Sequence, residues 1–195
     1  GSRGITKITD KSQLSEAIKS ACNESFEHKA MIEEFAEGKE YSVECVSFHG
    51  KHTLLAVTEK ITTGAPHFIE TGHLEPAPVD DQTRLRVDAI VSHALDSLEI
   101  KNGASHAEIK IAEDGSIRII EIGARMGGDC IGSDLVRYST GYDFVKMVIQ
   151  VAVGESPSFE KVCEPIKVES KFIFTEDDIE QYENDKRKGL VLKTV

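Results

Sequence analysis

The chain has 195 residues, 39% of them hydrophobic, enough for one sizeable core or for one domain with a smaller appendage. Charged residues make up 29% and the formal net charge is -11, which argues against non-specific binding to nucleic acid or to an anionic membrane, since both need a basic face. No apolar run reaches bilayer-spanning length and no signal peptide is visible; Cys22, Cys45, Cys130 and Cys163 are widely spaced with no C-x-x-C pair, so the expectation is a cytoplasmic protein with reduced thiols.

Gly1-Ser2-Arg3-Gly4 opens onto a short β-like run, Ile5 to Ile8. Ser12 is a suitable N-cap for a helix through about Cys22, with Leu14, Ala17, Ile18 and Ala21 on one face. Lys29 to Phe35 reads as a strand, ended by Gly38, and two more strands, roughly 40–48 and 52–62, meet at a His49-Gly50 turn. Residues 63–81, with Gly64, Pro66, Gly72, Pro76 and Pro78, read as one long loop, and such loops are often functional. An amphipathic helix follows over 82–98, with Val87, Val91, Ala94 and Leu98 on its stripe. Strands at about 105–112 and 116–123 flank Asp114-Gly115. A glycine-rich stretch, Gly123 to Gly132, leads into helical segments ending near Gly154, and from 165 a strand gives way to a polar tail. Helices mixed with antiparallel hairpins make an α+β pattern, not a doubly wound sheet.

The hairpin at 105–123 is the most informative segment. With Asp114-Gly115 as a two-residue loop, Glu113 pairs with Ser116, Ile109 faces Ile120, and Glu108 falls directly opposite Glu121. One face is then apolar and the other carries His106, Glu108, Lys110 and Glu121. Opposed carboxylates repel. Magnesium, bound by hard oxygen donors and by substrate phosphates, is one remedy; Lys110 or a cation on a neighbouring strand is another. A register slip of one residue would separate the two carboxylates altogether. The opening Gly1-Ser2-Arg3-Gly4 has the composition of a phosphate-cradling loop, although Gly-Ser is also a common cloning scar and the Walker A spacing is absent. No His/Cys cluster has zinc spacing, and Ser133 lacks a nucleophile elbow.

Taken in order, the opening glycine loop, Met31 to Val43, Glu108, and Ile120-Glu121-Ile122-Gly123-Ala124-Arg125-Met126-Gly127-Gly128-Asp129 resemble the ATP-grasp superfamily, most nearly its carboxylate–amine (amino-acid) ligases and more distantly biotin carboxylase and the carbamoyl-phosphate synthetase large chain. The resemblance covers residues 1 to about 154. It implies an ATP-grasp fold in which residues 1–36 are the end of the ATP-lid subdomain and 37–195 the catalytic subdomain, the N-terminal domain being absent. The cofactors it implies are ATP and Mg2+, with two ions. Gly1, Ser2, Arg3 and Gly4 resemble the loop over the phosphates, Glu33 with Glu34 to Ala36 the adenine hinge, and Glu40 the ribose-binding acid. Glu108 and Glu121 match the metal carboxylates. Arg125 and His73 resemble catalytic residues, and Glu70, Arg125 and Gly128 substrate-binding ones. Lys60 is a further candidate cation, set against a reading as a solvated strand lysine, while His67 and His106 are expected to be structural. Gly123 stands where many relatives have Asn.

The activity implied is transfer of the γ-phosphoryl group of ATP to a carboxylate, followed by attack of an amine on the acyl phosphate. The partners implied are small-molecule carboxylate and amine substrates, the absent N-terminal domain, without which the chain alone should be inactive, and a second copy in a homodimer. Two rivals remain: a carbamoyl-phosphate synthetase-like or biotin carboxylase-like enzyme using bicarbonate, and a nucleotide-binding module without turnover.

Overall fold

The computed structural model describes residues 4–64 and 69–195. The chain divides into two units, Gly1–Glu37 and Gly38–Val195. In the first, a 3-10 turn at Lys11–Gln13 runs into helix α1 (Leu14–Glu24). The cap is Asp10 rather than the expected Ser12. The Asp10 carboxylate accepts the Ser12 N–H at 2.8 Å, and the Gln13 side chain accepts the Asp10 N–H at 3.3 Å, a reciprocal box. The stretches expected as strands, Ile5 to Ile8 and Lys29 to Phe35, form no ladder. Their composition favours extended backbone, but a strand exists only when another strand accepts its hydrogen bonds. Phe35 instead lies under the Lys7 ammonium, 3.5 Å from the ring centroid.

The second unit is a six-stranded sheet with helices. Its elements are β1 (Lys39–Phe48), β2 (Lys51–Thr62), β3 (Glu70–Glu75), α2 (Asp81–Ser97), β4 (Gly103–Ile111) and β5 (Ile117–Gly123). A π-helical turn at Ile131–Leu135 then continues as α3 (Val136–Thr140), followed by α4 (Phe144–Ala152), β6 (Val168–Lys171) and α5 (Glu176–Arg187). The spatial order is β5-β4-β1-β2-β3-β6, and every pairing is antiparallel. β1 and β2 join through His49-Gly50, both at positive φ (52° and 78°), which suits the right-handed twist of a tight hairpin.

Two expectations need correction. The 63–81 loop contains β3, which glycine and proline punctuation hid; Gly72 is needed there because a Cβ would run into the Ser170 carbonyl of β6. The polar tail contains α5, whose Thr175 side chain caps the Asp178 N–H while Asp178 reaches back. In α2 the buried stripe is Val87, Val91 and Leu95, with Leu98 exposed.

β1 is buried from Tyr41 to Ser47 because both sheet faces are covered there. On one face Tyr41, Val43, Cys45, Val57, Ala107 and Ile109 pack against α2. On the other, Val46, Leu55, Ala56 and Ala104 pack against Val136, Phe144, Met147 and Val151 of α3 and α4. That second core covers only the end of the face where β1 finishes and β4 starts. The rest of the face is polar. The four cysteines are unbridged, and burial pushes the Cys45 thiol up to about 12. Among the described residues no helix is long and apolar enough to cross a membrane.

Glu75 is fully buried on this polar face, accepting hydroxyl hydrogen bonds from Thr58 and Ser139. Burial pushes its carboxyl up to about 7, against the pull of the two hydroxyls. An acid whose folded value is raised holds its proton longer in the native state, so its stabilising contribution is complete below the ordinary value of 4.5 and is lost as pH rises towards 7. Glu75→Gln should therefore match the parent protein at pH 4.5 and exceed it by up to about 3 kcal/mol at pH 8, as read from urea unfolding at the two pH values.

Candidate functional site

The β4–β5 hairpin differs from its expected form at two points whose effects cancel. Its loop is three residues, Glu113-Asp114-Gly115, closed by hydrogen bonds from Ala112 N–H to the Ser116 carbonyl and from Gly115 N–H to the Ala112 carbonyl, with Gly115 at φ 77°. This moves the register by one, so that Ile109 pairs with Ile119 rather than Ile120. A bulge between Glu108 and Ile109 then moves it back. Ile120 is the extra residue, 46% exposed, and beyond it Glu108 stands opposite Glu121.

Around Glu108 the polar face is dense with charge. Glu40 lies on β1, Lys60 on β2 and Glu70 on β3. The Lys60 ammonium, 4% exposed, sits 2.8 Å from Glu40 Oε1, 2.7 Å from Glu70 Oε1 and 3.2 Å from Glu108 Oε2. Burial by itself would lower this ammonium, but the hydrogen bonds to Glu40 and Glu70 and the charge of Glu108 outweigh it and raise it. The expectation of a solvated strand lysine is thus overturned. Beside the cluster opens a cleft of about 300 Å³ lined by Gly38, Lys39, Glu40, Glu59, Lys60 and Lys110, among others. A larger hollow of about 410 Å³ lies at the far end of the strands between Phe48, Val148 and Val151, away from these charges.

On the other side of Glu108, the His106 Nε2 approaches Glu108 Oε1 to 3.6 Å, while its Nδ1 is hydrogen-bonded to Glu44. The His106 ring is the first cause holding Glu108 down at about 2, with Lys60 adding to it against burial. Burial would pull His106 down, but Glu108 and Glu44 outweigh it and raise the ring to about 9. Glu44 is fully buried, and its Oε2 accepts the Gly127 N–H at 2.9 Å. One carboxylate therefore ties β1, β4 and the glycine-rich loop together. Neither Glu44 nor His106 stood out in the sequence as more than structural; the signal available was an acid inside an otherwise buried strand, which demands partners.

The remaining candidates divide by unit. Gly1, Ser2, Arg3 and His67 lie outside the described residues. In the first unit, Gly4 has φ 73°, Glu33 and Glu34 are exposed, and Ala36 is half-buried. In the second, Arg125 is exposed and donates from Nη1 to the Met126 carbonyl at 2.8 Å, while the Gly128 carbonyl accepts the Ile131 N–H at 2.8 Å. His73 is fully buried on β3. Its Nε2 faces Glu70 Oε2 at 3.8 Å and Asp129 Oδ2 at 4.0 Å. Asp129 and Cys130 are consecutive non-glycine residues at positive φ (49° and 62°), a sparsely populated backbone often stored at functional sites.

Glu108 and Glu121 offer hard oxygen donors from directly opposed strand positions. Like charges so opposed call for a cation, and the donor set fits magnesium.

Residues 1–134 match the model of the ATP-grasp domain, and the chain belongs to that family. The D-alanine–D-alanine ligase of Christiangramia forsetii is 30% identical over 130 residues, 64% of this chain and 39% of that enzyme. The crystal structure of the L-amino acid ligase from Bacillus licheniformis superposes with a TM-score of 0.76 at 27% identity, over 90% of this chain and 47% of that one. Biotin carboxylase from Campylobacter jejuni shares the fold, with a TM-score of 0.70 at 19% identity over 81% of this chain and 36% of that one. The chain spans well under half the length of the curated relatives it matches.

A Cβ on Gly127 would run into the Glu44 carboxylate and come within 2.9 Å of His106 Nδ1. Gly127→Ala should cost about 1–3 kcal/mol by overpacking. In a Glu44→Ala background the same substitution should cost clearly less, because the obstructing carboxylate is gone; four urea unfolding curves complete the cycle.

Proposed function

We propose that the full-length protein is an ADP-forming ligase that joins a carboxylate to an amine through an acyl phosphate. The observation that carries this is the opposed pair Glu108 and Glu121, set on a polar sheet face between Lys60 and His106 in a chain of the ATP-grasp family. The relatives at 27–30% identity include carboxylate–amine ligases by their printed names, which supports the same chemistry.

Phosphoryl transfer asks little of a protein beyond positioning and charge neutralisation. A substrate carboxylate oxygen attacks the γ-phosphorus, the bond to the bridging oxygen breaks, and ADP leaves. The lone pair of a neutral amine then attacks the acyl carbon, a C–N bond forms, phosphate departs with the bonding pair, and the amine proton passes to solvent. Glu108 and Glu121 would hold magnesium, two ions on this reading. The ion, when bound, supplies positive charge to the phosphate oxygens. Lys60 and His106 hold Glu108 ionised and ready for a cation. Arg125, a planar guanidinium on the loop beyond Glu121, is suited to the substrate carboxylate and the transferred group. On the same reading Glu40 takes the ribose hydroxyls, Gly1 to Gly4 the phosphates, Glu33 with the backbone of Glu34 to Ala36 the adenine edge, and Gly128 the substrate.

Glu121→Gln in the full-length protein should lower ADP release at least about 100-fold while leaving the melting temperature within a few degrees. Near-normal turnover from that variant would remove the metal assignment. An ADP-release screen with magnesium, ATP and pairs of amino acids should give a hit; release only with bicarbonate would instead support the carboxylating alternative.

A further inference from the structure

Glu44 is an acid in a place where an apolar side chain would pack. It is fully buried on β1, two residues before Val46, which joins the core covered by α3 and α4 on the same face. A buried ionic contact is a weak source of stability, because the loss of water offsets most of the attraction. What it supplies is direction, since each buried oxygen must find its own donor. Oε1 meets His106 Nδ1, and Oε2 accepts the Gly127 N–H at 2.9 Å.

The register brings these three residues together. Gly123 on β5 stands opposite His106 on β4, and His106 stands opposite Glu44 on β1. Glu121 and Glu108 occupy the next row of the same face, two residues along their strands. That step is roughly 7 Å. The chain leaves β5 at Gly123 and returns across the row, so that Gly127 arrives over Glu44. Among the described residues, the Gly127 N–H makes the one hydrogen bond that ties residues 124–130 to the sheet. The approach is as close as backbone allows, because a Cβ at Gly127 would collide with the carboxylate. Met126 also packs against the apolar core, but a flexible thioether side chain fixes depth rather than register.

Arg125 depends on this tie. Its guanidinium is exposed, and its hydrogen bond runs only to the carbonyl of its neighbour Met126. Its place relative to Glu108 and Glu121 is set by the backbone on either side, Gly123 in the strand and Gly127 on Glu44. With only the first held, two residues of chain let Arg125 range over roughly 7 Å.

We propose, resting on the ligase reading above, that Glu44 is a positioning residue for the first step of that reaction: by gripping Gly127 and His106 at once it sets Arg125 against Glu108 and Glu121, and so aligns the substrate carboxylate on the γ-phosphorus. Fully buried, Glu44 touches neither substrate nor nucleotide. Its loss therefore falls on the carboxylate and not on ATP. A displacement of about 1 Å in a group that orients a reactant is worth on the order of 100-fold in rate.

Glu44→Met keeps the length of the side chain and removes the acceptors. Glu44→Gln keeps an oxygen for Gly127 and offers an amide N–H to the neutral His106 ring. In the full-length protein, with ADP release as the readout, Glu44→Met should lower kcat/KM for the carboxylate about 100-fold while KM for ATP stays within about threefold. Glu44→Gln should stay within about tenfold of the parent. Gly127→Ala breaks the same hydrogen bond from the other side; it should reproduce the loss, the double variant should be no worse than either single one, and it decides the matter if Glu44→Met does not fold. Parent-like carboxylate kinetics in these variants, or a loss shared equally by ATP, overturns the proposal. If no carboxylate elicits ADP release, the ligase reading fails by itself, and amide hydrogen exchange still decides whether Glu44 positions the loop. A peptide over 124–130 should then exchange at least about tenfold faster in Glu44→Met and Gly127→Ala than in the parent and Glu44→Gln, with 117–122 unchanged. Equal rates over 124–130 overturn the assignment as well.

Discussion

Lys60 holds the second unit's polar face together. Its ammonium is nearly inaccessible and touches carboxylates from three other strands, Glu40 on β1, Glu70 on β3 and Glu108 on β4. A buried lysine without partners would lose its proton; with these it is held charged. Conversely, without it the three acids would face one another across a sheet whose opposite side is sealed by α2, with little water to screen them. Such an arrangement is a poor way to gain stability, since desolvation consumes most of the attraction. It is a good way to hold acids ionised at fixed positions.

The division of the second unit into two ends follows from this. Where the chain needs a core, β1 and β4 supply Val46 and Ala104, and α3 and α4 cover them. Further along the same face the even-numbered positions turn polar: Ser42 and Glu44 on β1, His106 and Glu108 on β4. Glu44 is the joint between the two ends. It is buried like a core residue but bonded to His106 and to the backbone of the glycine-rich loop. The loop bearing Arg125 and Gly128 is therefore referred to the same strands that carry the paired carboxylates.

Much of this was legible in the sequence. The β1–β2 hairpin, α2 and the β4–β5 pair were visible because alternation, helical spacing and glycine-bearing turns are local signals. What escaped depended on partners distant in the chain. Lys29 to Phe35 has strand composition but no ladder. β3 has a ladder but, with Gly72 and His73 in a stretch rich in proline, no strand composition. Lys60 read as a surface lysine because nothing local says that Glu40, Glu70 and Glu108 converge on it. Asp129 passed as the end of a glycine-rich run, since its meaning lies in its backbone angle and in the histidine across from it.

The pairing of Glu108 with Glu121 was anticipated through a two-residue turn, and it arises through a three-residue turn with a bulge at Ile120. The turn and the bulge are a matched set, because strand faces alternate with every residue. A single residue gained or lost at Glu113–Gly115 would send the two paired carboxylates to opposite sides unless Ile120 changed with it. The exposed tip of this hairpin looks like a permissive place to insert a tag or graft a peptide. It is instead a parity-sensitive one, where the length of an insertion matters more than its composition.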